Sequence, residues 1–503
     1  MTSTTTGSLY DPAGTAAGLE NVRSLVNLAL DVLQEVAADR GGPVAPGGAH
    51  GAREAAAKAL VEPLLPEHGS APTAVLDDLV RSYAQWSVDL THPAALARMQ
   101  PPPTASGVAA ELVAATLNQS LHAWESGPFA LDLDRWVISQ LAGLVGYGVG
   151  AGGTLTAGGS VSNLMALVAA RDETLAVKLG RSVFQEGLPA LGVQPVVVCP
   201  EGIHFSIGRA ARVLGIGEDH VVTVPTDAQG RMIPAEADRI LTELPADRVA
   251  VALVACAGST DLGIVDPLPE LAEIARRHGV WLHADAAYGA GALFSDELRG
   301  MLDGLAEADS VTLDLHKFGW SPASSAALLV RREETLLPFG LSPTTCLSAD
   351  DDTCAGYIGS QNTSLQTTRR VDALKIAVTM RTLGKERLGA MVDTCHGLAR
   401  HAAARIAAEP RLELFVDPPL TAVLFRYLPA DGLDVDAFNG KLRRRLLEDG
   451  RALLARTHVE VDGRSRVFLK LMLLNPDTTP AQLDAILDEL LAVAAALEVE
   501  LGD

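Results

Sequence analysis

Aromatic, cysteine and basic residues are all scarce in this sequence of 503 residues. Only 4% of the residues are aromatic and five are cysteines, while 62 acidic residues outnumber 40 basic ones, for a formal net charge of −22. Such an acidic chain repels polyanions, so neither nucleic acid nor an anionic membrane is an expected partner. The cysteines are odd in number and form no C-x-x-C pair, which argues against a disulfide framework or a zinc site and favours a reducing cytoplasm. They are Cys199, Cys256, Cys346, Cys354 and Cys395.

Long apolar runs are also absent. No uncharged stretch reaches the ~18 residues that a membrane span needs. The first ten residues, MTSTTTGSLY, have neither the basic start nor the apolar stretch of a secretory signal. The apolar segment 483–501 is interrupted by acidic residues, which predicts an amphipathic helix. We therefore expect a cytoplasmic, globular protein, in which 48% hydrophobic residues supply a large core.

Breaks rich in glycine and proline divide the chain. The run PPPTASG at 101–107 ends an N-terminal helical segment (1–107), with predicted helices at 17–38 and 52–62. Residues 389–503 predict a small α+β domain, with β-rich runs at 422–427 and 467–473.

The central part, 108–388, alternates short β-rich runs with helical patterns. Helical periodicity is clear at 268–277 and 296–307. Strands that alternate with helices indicate βαβ units, so we predict an α/β domain with a mostly parallel sheet flanked by helices. The β-rich runs are 196–198, 249–255, 280–283, 310–314 and 326–330.

Lys317 follows one of these runs directly, in SVTLDLHKFGW. A lysine is seldom buried without a function, and burial lowers the pKa of its amine and makes it nucleophilic toward carbonyls. Taken alone, a lysine in a loop is more often an ordinary surface residue. Lys317 becomes a candidate for catalysis only together with the other motifs of the chain.

Asp285 ends another β-rich run, in VWLHADAAYGAG. Ligands of open α/β sheets bind beyond the carboxyl ends of the strands, so Asp285 lies where a cofactor would bind. An aspartate beside a pyridine nitrogen keeps that nitrogen protonated, and the small Ala287 would let a flat ring approach the backbone. The alternative is an aspartate that caps a helix.

A third motif, GGTLTAGGSVSNLMALVAARDE, places glycines and serines before a strong helical pattern. Helix N-termini with free N–H groups bind phosphate, and Gly159, Ser160, Val161 and Ser162 are the candidates. Simple capping by a serine is the alternative. Together the three motifs supply a phosphate site, a partner for a pyridinium nitrogen and a lysine able to form a Schiff base. This combination is typical of pyridoxal 5′-phosphate (PLP) enzymes.

At this point the sequence resembles the group II PLP-dependent amino-acid decarboxylases, which act on aromatic amino acids, glutamate, lysine or 2,4-diaminobutyrate. The resemblance implies PLP-dependent transferase fold type I and homodimers with shared active sites, in which the N-terminal helices wrap the partner. It also implies decarboxylation of an L-amino acid to an amine and CO2. It rests on four stretches: TAGGSVSN (156–163), HADAAYG (283–289), DLHK (314–317) and SLQTTRRVDALK (364–375).

The resemblance also implies roles for individual residues. Lys317 is expected to bind PLP covalently, and Asp285 to contact the pyridine nitrogen with Ala287 beneath the ring. His204, in CPEGIHFSIGRAA, resembles the histidine that stacks on the ring and acts as acid or base. Three further positions resemble cofactor-binding residues: Thr260 near the phenolic oxygen and substrate carboxylate, His316 near the phosphate, and the more variable Asp314.

The segment 347–366 resembles the family's mobile loop. It contains Tyr357, a candidate to protonate the substrate Cα, often in the neighbouring subunit's site. Its acidic run 350–352 predicts a solvated turn, so we expect no metal. Four residues of a second stretch, NQSLHAWESGPF, are candidates to line the substrate pocket: Asn118, Ser120, Trp124 and Phe129.

The substrate is the least determined part of the prediction. The stretches around Trp124 and 364–370 look closest to the diaminobutyrate- and lysine-type members, whereas Phe129 would suit a neutral aliphatic or aromatic side chain. Two alternatives to simple decarboxylation remain open. One is another PLP reaction on the same fold (oxidative deamination, aminotransfer or carbon–carbon cleavage), and the other is a catalytically silent homologue.

Overall fold

The computed structural model describes residues 12–188, 192–340, 350–461 and 463–502. Within them the chain forms two β-sheets, one of seven strands and one of five, with helices packed on both. Residues 347–349 of the predicted loop 347–366 lie outside the described residues, and so does Cys346, which precedes the loop.

The larger sheet has the strand order β2-β8-β7-β6-β5-β3-β4. Neighbouring strands from β7 through β6, β5 and β3 to β4 are parallel, and only β8 runs against its two neighbours. The sheet is therefore mostly parallel, as predicted. Its strands are β2 (Gly152–Thr156), β3 (Gln194–Pro200), β4 (Val221–Val224), β5 (Arg248–Cys256), β6 (Trp281–Asp285), β7 (Ser310–Asp314) and β8 (Ala326–Val330).

Apolar and β-branched residues predominate in most of these strands, and both faces of the sheet are covered. The last seven residues of β5 and all five residues of β6, β7 and β8 are buried. The covering helices are α5 (Pro128–Val145), α6 (Gly159–Leu179), α7 (Val183–Glu186), α8 (Ser206–Val213), α9 (Pro234–Thr242) and α10 (Leu268–His278).

The smaller sheet has the order β1-β11-β12-β10-β9, in which only β1 and β11 pair in parallel. Helices from the C-terminal part pack against it around a second apolar core. The strands are β1 (Ala95–Leu96), β9 (Leu412–Leu414), β10 (Ala422–Tyr427), β11 (Leu453–Val461) and β12 (Arg464–Met472). The helices are α13 (Val435–Glu448) and α14 (Pro480–Gly502).

The remaining helices lie at the start of the chain and between the sheets: α1 (Ala16–Asp39), α2 (Gly48–Ala59), α3 (Pro72–Trp86), α4 (Ala105–Leu117), α11 (Asp350–Cys354) and α12 (Asp372–Ala407). The long α12 packs on α4, α5 and α14 and so touches elements of both cores. It is interrupted at Gly384, whose φ of 69° no helix allows.

The predicted helix at 296–307 is wrong. The segment forms two short 3₁₀ turns, Arg299–Leu302 and Leu305–Glu307, separated by Gly304 with φ 88°. A Cβ at Gly304 would lie 2.7 Å from the backbone nitrogen of Pro269. Only glycine therefore lets the chain pass this close to the start of α10. The apolar residues Leu302 and Leu305 are buried, which explains the misleading periodicity.

Candidate active site

A cavity of about 370 Å³ lies beyond the carboxyl ends of β5, β6 and β7, facing the N-terminus of α6. Its position is the one expected for ligands of open α/β sheets, and its volume suits a small cofactor. The following residues line it: Met99, Ala157, Gly158, Gly159, Ser160, Val161, Asn163, His204, Phe205, Cys256, Gly258, Thr260, Asp285, Ala287, Tyr288, Asp314, His316 and Lys317.

Lys317 lies in the turn that follows β7. Its Nζ is 2.9 Å from Oδ2 of Asp314, and Nε2 of His316 is 3.6 Å from the same oxygen. The other carboxylate oxygen, Oδ1, is buried and has no hydrogen-bond partner among the described residues. The carboxylate therefore holds the amine at the cavity wall, and it retains an acceptor that a bound group could use.

Asp285 is the last residue of β6 and is buried at the cavity floor. Its Oδ2 accepts a hydrogen bond from Nδ2 of Asn163 at 2.8 Å, and its Oδ1 accepts one from the backbone N–H of Ala287 at 3.2 Å. These two donors fix the orientation of the carboxylate. Sequence reasoning gave Asn163 no role, although it ends the TAGGSVSN motif.

His204 and Thr260 line the cavity on loops that follow β3 and β5. Burial lowers the pKa of His204, which favours the neutral imidazole. The backbone oxygen of Thr260 accepts a hydrogen bond from Nζ of Lys470 at 3.3 Å, and the same Nζ lies 2.7 Å from Oδ1 of Asp261. Because Lys470 belongs to β12, the smaller sheet touches the rim of the cavity.

The N-terminus of α6 forms the opposite wall. Gly159 is a close-approach position, because a Cβ there would lie 3.1 Å from the Cβ of Ala287 and 3.2 Å from the carboxylate of Asp314. Ser160 is exposed to the cavity side, and Val161 also lines it. The side chain of Ser162 is instead fully buried, and its hydroxyl lies 2.7 Å from that of Thr156. Only three of the four predicted phosphate-site residues thus border the cavity.

Five predicted residues do not line this cavity in the described part of a single chain: Tyr357, Asn118, Ser120, Trp124 and Phe129. Two of them meet, because the rings of Trp124 and Tyr357 pack edge to face with centroids 4.9 Å apart. Phe129 is 77% exposed and Tyr357 is 45% exposed. Ser120 contacts Nδ1 of His122 at 2.7 Å. Their roles stay predictions.

Some cavity residues were not predicted as site residues. Met99 comes from the segment before α4, and Cys256 and Tyr288 are buried beside the cavity. Burial raises the pKa of the Cys256 thiol well above its usual value, so this cysteine is not a reactive thiolate. No sequence signal marked Met99, because it lies far from the three motifs along the chain.

The donor set fits PLP. Lys317 offers an amine, Asp285 an oriented carboxylate for a ring nitrogen, and the start of α6 offers backbone N–H groups for a phosphate. The unpartnered Oδ1 of Asp314 leaves an acceptor at the cavity wall. Among the described residues, no group of three or more His, Cys, Asp or Glu could hold a metal ion. No helix in that part of the chain is long and apolar enough to span a bilayer.

Comparison with known proteins agrees with this chemistry. Residues 55–428 match the family described as the pyridoxal-dependent decarboxylase conserved domain. The chain is 40% identical to the L-2,4-diaminobutyrate decarboxylase of Rhizobium meliloti (strain 1021) over 438 residues, which cover 86% of this chain and 84% of the relative. It is 34% identical to the L-2,4-diaminobutyrate decarboxylase of Acinetobacter baumannii over 84% of each.

A solved structure gives the same result. The glutamate decarboxylase domain of the diaminobutyrate-pyruvate transaminase and L-2,4-diaminobutyrate decarboxylase from Vibrio parahaemolyticus superposes with a TM-score of 0.84 at 28% identity, covering 96% of this chain and 97% of the other. The fold is therefore PLP-dependent transferase fold type I, and the predictions of PLP as cofactor and of amino-acid decarboxylation are confirmed. The chain belongs to the pyridoxal-dependent decarboxylases.

Proposed function

We propose that this enzyme decarboxylates L-2,4-diaminobutyrate to 1,3-diaminopropane and CO2. The observation that carries the proposal is the 40% identity to a diaminobutyrate decarboxylase over 438 residues. A second diaminobutyrate decarboxylase, at 34% identity, supports the same substrate.

The charges around the cavity favour a cationic substrate. A distal carboxylate, as in glutamate, is best bound by a guanidinium, and no arginine is among the described residues that line the cavity. The net charge of −22 also attracts a substrate with two ammonium groups and repels one with two acidic groups.

Residues of this chain would hold the cofactor from several sides. Lys317 would bind it covalently, Asp285 would pair with its ring nitrogen, and His204 would stack on the ring opposite Ala287. Gly159, Ser160, Val161 and His316 would surround the phosphate. Ser162 would support this turn from behind, because its side chain is fully buried against Thr156 and its backbone N–H donates to Gly158. When bound, PLP draws electrons from the substrate Cα as CO2 leaves.

The residues of the protein set the course of the reaction. Asp314 holds the amine of Lys317 at 2.9 Å and would hold it in the same place whenever that amine is free. The two hydrogen bonds to Asp285 hold that carboxylate in a fixed orientation. Thr260 lies at the rim, where the substrate carboxylate would enter. Tyr357 would supply the proton that Cα gains.

We propose a homodimer in which Tyr357 and the stretch 118–129 reach the partner's cavity. This arrangement explains why they do not line the cavity of their own chain. It would also cover the exposed apolar side chains of α1, α3, α4 and α5, which are unusual for a free surface. Examples are Leu30, Leu33, Leu79, Tyr83, Leu117 and Phe129.

The remaining proposals concern domains and location. We keep the division into an N-terminal helical segment (1–107), a PLP-binding α/β domain (108–388) and a small α+β domain (389–503), with β1 of the first segment joining the sheet of the third. A cytoplasmic location is supported by the free thiols of all four cysteines in the described part of the chain.

Carbon dioxide release tests the proposal. Purified enzyme with PLP is assayed against L-2,4-diaminobutyrate, lysine, ornithine, glutamate, cysteine sulfinate and aromatic amino acids. We expect CO2 and 1,3-diaminopropane from diaminobutyrate, with the highest kcat/KM of the panel. Lys317→Ala should lose activity and the PLP–lysine absorbance, whereas Lys385→Ala, a surface lysine paired with Asp296, should keep both. A preference for glutamate or an aromatic amino acid would refute the substrate.

A further inference from the structure

A chain of buried hydrogen bonds passes beneath the cavity. We call its seven members the histidine relay: Trp281, Ser310, His283, Asn163, Asp285, Ser206 and His204. At its deep end, Nε1 of Trp281 donates to the Ser310 hydroxyl at 2.8 Å, and that hydroxyl lies 2.8 Å from Nδ1 of His283. Nε2 of His283 then lies 3.0 Å from Oδ1 of Asn163.

The direction of each bond in the deep half is fixed by chemistry. The Asp285 carboxylate only accepts, so the Asn163 amide must present its Nδ2 to Asp285, at 2.8 Å, and its oxygen to His283. That oxygen needs a donor, so the proton of His283 is on Nε2 and its Nδ1 accepts from Ser310. Burial lowers the pKa of His283 to about 4, which agrees with a neutral ring.

The second half of the relay ends at His204. The second Nδ2 hydrogen of Asn163 goes to the Ser206 hydroxyl at 2.9 Å, and this hydroxyl lies 2.8 Å from Nδ1 of His204. The backbone N–H of Ser206 points at the same Nδ1 at 3.3 Å. A backbone N–H can only donate, so Nδ1 of His204 is an acceptor and the proton of the ring is on Nε2.

We propose that Asn163 and Ser206 are positioning residues that hold His204 as a neutral imidazole protonated at Nε2. A neutral imidazole is far too weak an acid to give up that proton, so His204 offers a hydrogen bond through Nε2 and does not protonate the substrate Cα. When the bond between Cα and CO2 breaks, the proton that Cα takes up comes from another group, for which Tyr357 is the candidate. This catalytic consequence rests on the proposed function, whereas the protonation of His204 does not.

Four charged groups act on His204 from the surrounding elements. Asp285 and Asp314 favour the imidazolium, while Lys317 and Arg209 oppose it. An imidazolium would place a proton on Nδ1 against the Ser206 backbone N–H, which cannot accept it, and the Ser206 hydroxyl could accept it only by turning its own proton away from the ring. The two Ser206 donors therefore disfavour a proton on Nδ1 of His204, whereas the two carboxylates favour one.

The protonation of His204 can be read directly by nitrogen NMR. Protein labelled with [15N]histidine is studied with and without PLP, and His204 is assigned by comparison with His204→Gln. We expect a neutral ring with the proton on Nε2 in both forms at pH 7. The measurement is made on the wild-type protein, so its result does not depend on whether a relay variant folds. Protonated Nδ1 in either form would overturn the proposal.

Variants then test whether the relay imposes this state. Ser206→Ala removes the nearer of the two donors to Nδ1 of His204 and leaves only the backbone N–H, 3.3 Å away. It should therefore move part of the His204 population to the Nδ1-protonated or imidazolium form, change the pH dependence of kcat and lower kcat by roughly 10-fold, with little change in KM. Ser206→Thr keeps the hydroxyl and should restore the wild-type tautomer. The matched control is Thr174→Val, which removes a buried hydroxyl of α6 that donates to Val251 at 3.1 Å outside the relay.

The outcomes separate the two proposals. If Ser206→Ala and Thr174→Val have the same His204 tautomer and pH profile, the relay has no positioning role and the inference fails. If the tautomer responds as expected but diaminobutyrate yields no CO2, the relay stands and the proposed substrate is wrong.

Discussion

The buried guanidinium of Arg369 joins the Tyr357 loop to the rest of the structure. Its Nη2 lies 3.0 Å from Oδ2 of Asp134 on α5 and donates to the Ser360 hydroxyl at 2.9 Å. Ser360 donates in turn to the backbone oxygen of Leu121, at 2.6 Å. Arg369 therefore connects α5 with Ser360, at the end of the loop that carries Tyr357. Through Ser360 it also reaches the stretch 118–129, which contains the predicted substrate residues.

Replacing Arg369 by methionine should be costly because it leaves Asp134 buried without its partner. Breaking a buried ion pair on one side costs about 3–5 kcal/mol. If a chain of this length unfolds as one unit, its unfolding entropy is roughly 1 kcal/mol per degree, so the Tm should fall by about 3–5 °C. The double variant Arg369→Met/Asp134→Leu removes the unpaired charge and should recover most of this loss.

Calorimetry and activity assays would check this together. We expect Arg369→Met to lower kcat because the Tyr357 loop loses its fixed end, while the PLP–lysine absorbance at Lys317 stays unchanged. Arg276→Ala, which breaks an exposed pair with Glu307 away from the loop, is the control and should change the Tm by well under 1 °C. Equal Tm values for the single and double variants would refute the role of the buried charge.

Three further predictions concern single positions. Gly159→Ala should weaken PLP binding, measured by absorbance titration, because its Cβ would press on Ala287 and the Asp314 carboxylate. Gly384→Ala should cost about 1–3 kcal/mol in urea unfolding, because φ 69° and ψ 168° lie in a backbone region that only glycine readily adopts, while no atom lies within 4 Å of the added Cβ. Burial raises the pKa of Asp266 to about 6. The folded state therefore binds the proton more tightly, and stability falls by about 3 kcal/mol as pH rises from well below 4 to well above 6, with about 2 kcal/mol of this loss between pH 4 and 6. Asp266→Asn should remove that slope from urea titrations.

The sequence predicted strands in which apolar and β-branched residues predominate. The runs 310–314, 326–330 and 422–427 coincide with β7, β8 and β10, because such residues are enriched in strands. Short edge strands such as β1 and β9 were missed, since two or three residues carry no recognisable period. The helix predicted at 296–307 was wrong because its apolar residues are spaced for burial in two 3₁₀ turns and not along one helix face.

The candidate site was predictable where local motifs carry the chemistry. Lys317, Asp285 and Gly159 each lie at the end of a strand or the start of a helix, and the fold brings them to one cavity. The role of Asn163 was not predicted, because its hydrogen-bond partners are 43 to 122 residues away along the chain. Tyr357 could be named from the resemblance, but it does not line the cavity of its own chain, and its role rests on the proposed homodimer.

The pairing of β1 with β11 has a consequence for how the protein is made. Ala95 pairs with Leu453, so a strand near the start of the chain can complete its sheet only after most of the polypeptide has left the ribosome. At ordinary rates of synthesis this delay is on the order of tens of seconds. During that time the apolar side chains around Leu96, buried in the finished core, remain without their cover. Newly made chains should therefore be most vulnerable to aggregation and most dependent on chaperones before residue 453 emerges.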